Sequence, residues 1–287
     1  MVKRLIRVAI SLAVYAADVM TGAVRRLVGK PAEGTCVVIY YHEIMEADRH
    51  RFAAQLDTIL RRSRPISALE SNPLQPGQKY VAVTVDDAFV SFFQNGLPEV
   101  ERRKIPVVIL VPTAYVGQKL DWAMEEEMES PDQQVASVAE LQTLAKNPLI
   151  RFGAHTVNHR NLTLLSASDA RHELVDSRKF LEQVLNCEIN SVSFPYGAFS
   201  RRELLLAQQA GYKTCFTTTP LPVTGTLNGD VVGRVRVEPS DWMLEFKLKL
   251  AGAYRWQERV QRLRLRLRER RAGAVHPVPR ADCKQTN

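Results

Sequence analysis

The chain has 287 residues, 45% apolar and 24% charged, which excludes intrinsic disorder as its main state and allows a large core without disulfide or metal staples. Its formal charge of +8 is unevenly placed: residues 1–30 carry six Lys/Arg against Asp18, residues 244–287 carry twelve against four acids, and residues 31–243 carry 21 basic against 26 acidic. A mildly acidic body with cationic ends excludes a basic nucleic-acid-binding core, and nucleic acid is not an expected partner. Cys36, Cys187, Cys215 and Cys283 lack C-x-x-C or zinc-ribbon spacing and read as reduced thiols.

In chain order, the apolar stretch Val8–Ala17 is too short to cross about 30 Å of hydrocarbon, so no transmembrane span is expected. A cleaved signal peptide is one reading, with Val14-Tyr15-Ala16 before the cut. Leu5, Leu12, Val19, Ala23 and Leu27 continue one apolar face past it, which favours an amphipathic helix on a membrane or on the protein's own core. The expected location is the cytoplasm or the surface of the cytoplasmic membrane.

After Pro31 the pattern alternates. Strands are expected at Cys36–Tyr41, Tyr80–Val85, Val107–Val111, Ile150–Ala154, Ser191–Phe194 and Lys213–Thr218. Helices are expected at Phe52–Leu60 and Asn95–Arg103, and after the capping signals Ser137-x-x-Glu140, Ser166-x-x-Asp169 and Ser200-x-x-Glu203. Short strands alternating with helices imply an α/β fold with a parallel sheet, and six or seven such units suggest closure as a barrel, with chemistry at the C-terminal strand ends. The expected organisation is a helical extension at 1–30, the barrel at 31–243 and a basic amphipathic extension at 244–287. In that last segment Arg255–Arg271 contains eight arginines interleaved with Trp256, Val260, Leu263, Leu265 and Leu267, which suggests peripheral contact with an anionic bilayer through both basic termini.

Three polar clusters fall on strand ends. Thr84-Val85-Asp86-Asp87 closes a β run with two carboxylates, of which one can hold a metal while the other takes a proton from water; a helix cap followed by a solvated acid is the plain alternative. His155 and His159 are spaced to share one ion, although two ordinary surface histidines would leave the same trace. Pro195-Tyr196-Gly197 is a turn that can offer an aromatic wall and a backbone N–H to an oxyanion, or mere Pro/Gly punctuation. Asp87, His155 and His159 together leave coordination positions open, as a catalytic site requires.

With Tyr41-His42, Thr84–Asp87, His155/His159 and Pro195–Gly197 in this order, the chain resembles the polysaccharide deacetylases of the NodB-homology, carbohydrate esterase type over roughly residues 36–240. The resemblance implies a distorted (β/α) barrel and divalent-metal-dependent removal of acetyl groups, usually from an N-acetylated sugar. The implied metal is zinc, with cobalt, nickel, iron or manganese as alternatives, and the implied partner is an acetylated oligo- or polysaccharide, free or lipid-linked. Carried over by position, Asp86 is the general base and Asp87, His155 and His159 are metal ligands; Pro195, Tyr196 and Gly197 meet the substrate, with the Tyr196 N–H on the oxyanion. The chain departs from the family at Ala88, where glycine is usual, and at Ser193, where an arginine often orients the base. Arg234, in Val232-Gly-Arg-Val-Arg, resembles an arginine on a late strand of a bacterial exopolysaccharide-type subgroup that could supply that charge. No Leu-x-His motif marks a general acid; His276 sits in a Pro-rich tail, and His42 is the better candidate. These departures keep open a degenerate barrel that binds glycan without hydrolysis, and an O-acetyl esterase.

Overall fold

The computed structural model describes residues 1–30, 32–119, 133–227 and 229–260. Its centre is a closed parallel barrel of seven strands: β1 (Thr35–Tyr41), β3 (Lys79–Asp86), β4 (Val107–Val111), β5 (Ile150–Ala154), β6 (Ser191–Ser193), β7 (Thr214–Thr217) and β9 (Val231–Arg236). Closure comes from β1, which pairs with β3 on one side and β9 on the other. Two short strands complete the sheet. β2 (Arg64–Ile66) pairs with Tyr80–Ala82 of β3, leaving Val83–Asp86 to β4, and β8 (Val223–Thr224) runs antiparallel to the start of β1. Most barrel strands are near-continuous apolar runs because both faces are covered; in β3 every residue after Lys79 is buried.

Helices α2 (Arg49–Arg62), α3 (Leu97–Arg103), α4 (Val138–Leu144), α5 (Ala167–Leu185) and α6 (Arg201–Gln209) cover the barrel. The Ser137 and Ser200 capping boxes both form, and Ser166 Oγ accepts from the Asp169 N–H. The helix expected from Asn95 differs at its start. Phe92–Gly96 is a π turn and α3 begins at Leu97, because Pro98 cannot donate to the carbonyl a turn behind it.

The terminal segments also join this body. α1 (Val2–Leu27) is one unbroken helix of 26 residues, since Asp18 ends the apolar run without ending the helix. By length and composition alone it is long and apolar enough to cross a membrane. It nevertheless lies on the domain, contributing Val8 to the main core, while α7 (Met243–Leu250) contributes Phe246, Leu248 and Leu250. Of the expected C-terminal apolar stripe, Trp256 is placed: its Nε1 donates to Ser11 Oγ at 2.9 Å. Leu263, Leu265, Leu267 and His276 lie outside the described residues, as does Cys283. Cys36 and Cys215 are buried free thiols pushed up to about 12 by that burial, whereas Cys187 is exposed.

Candidate metal centre and catalytic cleft

The C-terminal ends of the strands converge on one cleft of about 790 Å³. β3 delivers Asp86 and then turns through two left-handed residues, Asp87 (φ 67°) and Ala88 (φ 51°). Ala88, where the resemblance leads to glycine, adopts positive φ at a cost of roughly 1 kcal/mol. The loop is held by the Ala136 N–H donating to the Ala88 carbonyl and by the Val90 N–H donating to Gln134.

β5 delivers His155, followed by left-handed Thr156 and His159; left-handed Tyr196 follows β6. Five of the seven non-glycine residues with positive φ among the described residues therefore sit at this site, and the other two, Lys104 and Asn186, are helix C-caps. Such strain persists only where surrounding contacts enforce it. Glu173 of α5 supplies one such contact: its carboxylate accepts from the Val157 N–H (2.9 Å), the Asn158 N–H (2.8 Å) and Asn158 Nδ2 (2.8 Å), stapling the loop between the histidines to the helix. Sequence reasoning missed Glu173. Its signal was an acid on the buried stripe of α5 beside Ala170, Leu174 and Ser177. Glu173→Ala is expected to weaken divalent-ion affinity about 10–100-fold, as loss of ligand-orienting contacts does, with the fold retained by circular dichroism.

Asp87, His155 and His159 offer ligand atoms all within 4.8 Å of one another. Asp87 Oδ1 lies 3.8 Å from Nε2 of each histidine. His155 Nδ1 is 2.9 Å from the Ser193 carbonyl, which can only accept, so Nδ1 carries the proton and Nε2 turns its lone pair toward Asp87. Burial pushes both imidazoles down, His159 to about 2, with His155 adding to that effect. Asp87 is raised well above the usual carboxylate range by burial and by neighbouring Asp86, and its Oδ1 is buried without a hydrogen-bond partner. Two neutral imidazoles facing an orphaned buried carboxylate oxygen are a donor set suited to one divalent cation.

Asp86 is treated differently. Burial alone would raise it, but the Arg234 guanidinium, then His155, outweigh burial and hold it at about 2. Arg234 of β9 is fully buried inside the barrel, and its five N–H groups are all engaged. Nη1 donates to Asp86 Oδ1 (2.6 Å) and Thr84 Oγ1 (2.9 Å), Nη2 to Asp86 Oδ2 (2.7 Å) and Ser193 Oγ (2.7 Å), and Nε to the Thr217 carbonyl (3.3 Å). The guanidinium also stacks over Tyr40, 4.5 Å from the ring centre. Ser193, where the resemblance leads to an arginine, here accepts from Arg234. Thr84 and Ser193 are the supporting residues that the motif reading did not assign.

His42, just after β1, lines the same cleft edge-on to Tyr40 at 5.5 Å; burial lowers it to about 3 against the pull of Asp86. Tyr196, half exposed, sets its ring 5.1 Å from that of His159. Pro195 starts this turn and Gly197 completes it at φ 65°, where an added Cβ would come within 2.7 Å of the Thr218 backbone nitrogen. Gly197→Ala is therefore expected to displace the Tyr196 turn and reduce acetate release about 100-fold while leaving ion binding intact.

A closed parallel barrel with a buried Asp-His-His cluster and a clamped carboxylate at its C-terminal rim defines the class. Residues 74–215, just under half of the chain, match the family model for polysaccharide deacetylase. His42 and Arg234 lie outside the matched span, so their places here rest on the geometry. A Staphylococcus aureus poly-beta-1,6-N-acetyl-D-glucosamine N-deacetylase is 27% identical over 180 residues, covering 60% of this chain and 58% of that protein. YxkH of Bacillus subtilis is 24% identical over 165 residues, covering 58% and 54%. The chain thus spans little more than half the length of these relatives. Among solved structures, IcaB from Ammonifex degensii superposes with a TM-score of 0.65 at 22% identity, covering 78% of this chain and 98% of that one. Streptococcus pyogenes deacetylase PplD gives 0.58 at 21%, covering 73% and 95%. Both share the fold.

Proposed function

We propose that the protein is a divalent-cation-dependent deacetylase that hydrolyses N-acetyl groups of an acetylated oligo- or polysaccharide of the poly-N-acetylglucosamine kind. The observation that carries this reading is the pairing, in one cleft, of an orphaned Asp87 oxygen facing two imidazoles with an ionised Asp86 gripped by Arg234. The S. aureus relative, named for poly-beta-1,6-N-acetyl-D-glucosamine, supports the substrate class.

Asp87, His155 and His159 would hold the cation, for which the two-imidazole, one-carboxylate set favours zinc. When bound, it supplies positive charge that polarises the acetyl carbonyl and makes a nearby water easier to deprotonate. Asp86, oriented by Arg234, takes the proton as water adds to the carbonyl carbon. The Tyr196 N–H donates to the carbonyl oxygen as it gains charge. The C–N bond then breaks, the sugar nitrogen receives a proton by way of His42, and acetate leaves with the free amine. His42 is neutral at rest because burial lowers it, so it acts as a relay of the proton taken from water rather than as a standing acid.

The test is acetate release from matched N- and O-acetylated glucosamine oligomers with zinc, cobalt, nickel, iron or manganese returned singly to chelated protein. Release from the N-acetylated set is expected. Release confined to O-acetyl substrates would make the protein an esterase, and glycan binding without release would make it a degenerate barrel.

A further inference from the structure

Helix α1 is docked through a mixed stripe, with Val8 in the core and Val14 and Tyr15 packed against it. Its polar contacts with the domain are made by Arg4, whose Nε donates to Glu245 at 2.6 Å, by Ser11, which accepts from Trp256, and by Asp18, both of whose oxygens accept from Arg255. These residues recur at seven-residue intervals and so lie on one stripe of the helix, and Val8 and Ser11 are its buried positions. The opposite side carries Leu5, Ile6, Leu12, Val19, Met20 and Val24, all exposed. An apolar stripe running along a helix of about 39 Å is larger than an ordinary soluble surface leaves bare.

We infer that α1 lies in the plane of an anionic bilayer, with its exposed apolar side among the acyl chains and its docked side holding the catalytic domain. Charge placement selects this occupant. Lys3 and Arg7 flank the stripe at one end and Arg25, Arg26 and Lys30 at the other, positioned for lipid phosphates, whereas a second copy of the helix would bring cationic ends together. A spanning helix would strip Asp18 from Arg255 and carry it into hydrocarbon. Arg4 and Arg7 also line the cleft that holds Asp86 and Asp87, so the docked helix sets the mouth of the site at the membrane surface. The docking does not depend on the deacetylase reading; its consequence, that glycan tethered at the bilayer is the substrate presented to the cleft, rests on that reading.

Co-sedimentation of the full chain with vesicles tests this. Wild-type protein is expected to bind palmitoyl-oleoyl phosphatidylcholine vesicles containing 30% phosphatidylglycerol at least tenfold more tightly than phosphatidylcholine alone (about 1 kcal/mol per basic residue near the surface), and to lose that preference in high salt. Leu5→Glu/Leu12→Glu/Met20→Glu, which leaves the inward stripe intact, is expected to lose binding at least tenfold while keeping its circular dichroism and its acetate release from a short soluble oligomer. No binding by the wild type, or equal binding by the variant, overturns the proposal. So does a vesicle-free dimer that the variant abolishes, which would give the stripe to a second copy, and so does resistance to alkaline carbonate extraction, which would make the helix spanning. Wild-type binding without acetate release would uphold the docking and sink the deacetylase reading instead.

Discussion

Arg234→Met is expected to destabilise the protein by about 3–5 kcal/mol and to abolish acetate release, because truncating one partner of a buried, fully bonded ion pair leaves the other charge uncompensated. The stranded group is Asp86, which shares the barrel interior with Asp87, Thr84 and Ser193; its other nearby basic group among the described residues is the imidazole of His155 at 3.9 Å. Arg234→Lys is not expected to rescue function, since one ammonium cannot grip both carboxylate oxygens while also reaching Thr84 and Ser193. The urea midpoint of each variant against wild type measures the first effect, and acetate release by the fraction still folded measures the second. A variant with wild-type stability and turnover would show that the clamp is not what holds Asp86.

The second large effect separates the two adjacent carboxylates. Asp87→Asn is expected to lose both ion binding and turnover, because it removes the one anionic donor of the cluster. Asp86→Asn is expected to retain about one ion per chain yet lose about 10²–10⁴-fold in turnover, the usual share of a general base. It also leaves Arg234 without its anion, so its stability will fall. Ion stoichiometry by isothermal titration, measured beside the rate, keeps that loss from being mistaken for a catalytic one. If both variants lost the ion, or Asp86→Asn kept full activity, the division of labour would be wrong.

Much of the barrel was legible because β1 and β3 to β7 are apolar runs that end abruptly in polar or turn residues, and that ending also marks the chemistry. Asp86, Asp87, His155 and Tyr196 were singled out for this reason, and the structure brings them to one cleft. β2 and β8 were not, since strands of three and two residues carry no periodic signal. β9 was reached only through the resemblance at Arg234, because Val231-Val-Gly-Arg-Val-Arg places a charge where the barrel interior demands apolar residues, and Arg234 is tolerated there only because Asp86, Thr84, Ser193 and Thr217 satisfy it. Those four partners come from three other strands, a convergence that no local window contains. Ala88 stands in the left-handed region, a conformation its identity does not announce, and the neighbouring backbone bonds hold it there. At the N-terminus the apolar face of α1 was visible, but which face the protein would keep for itself was not. Docking through Arg4, Ser11 and Asp18 depends on Glu245, Arg255 and Trp256, more than two hundred residues away.

The most direct measurement is acetate release from an N-acetylglucosamine oligomer by chelated protein as zinc is returned in sub-stoichiometric steps. The expected result is activity near zero without the ion, a linear rise, and a plateau at one ion per chain, with no rise in Asp87→Asn. Release that survives chelation, or an ion bound at that stoichiometry without any release, would contradict the assignment of Asp87, His155 and His159 as the catalytic cation site.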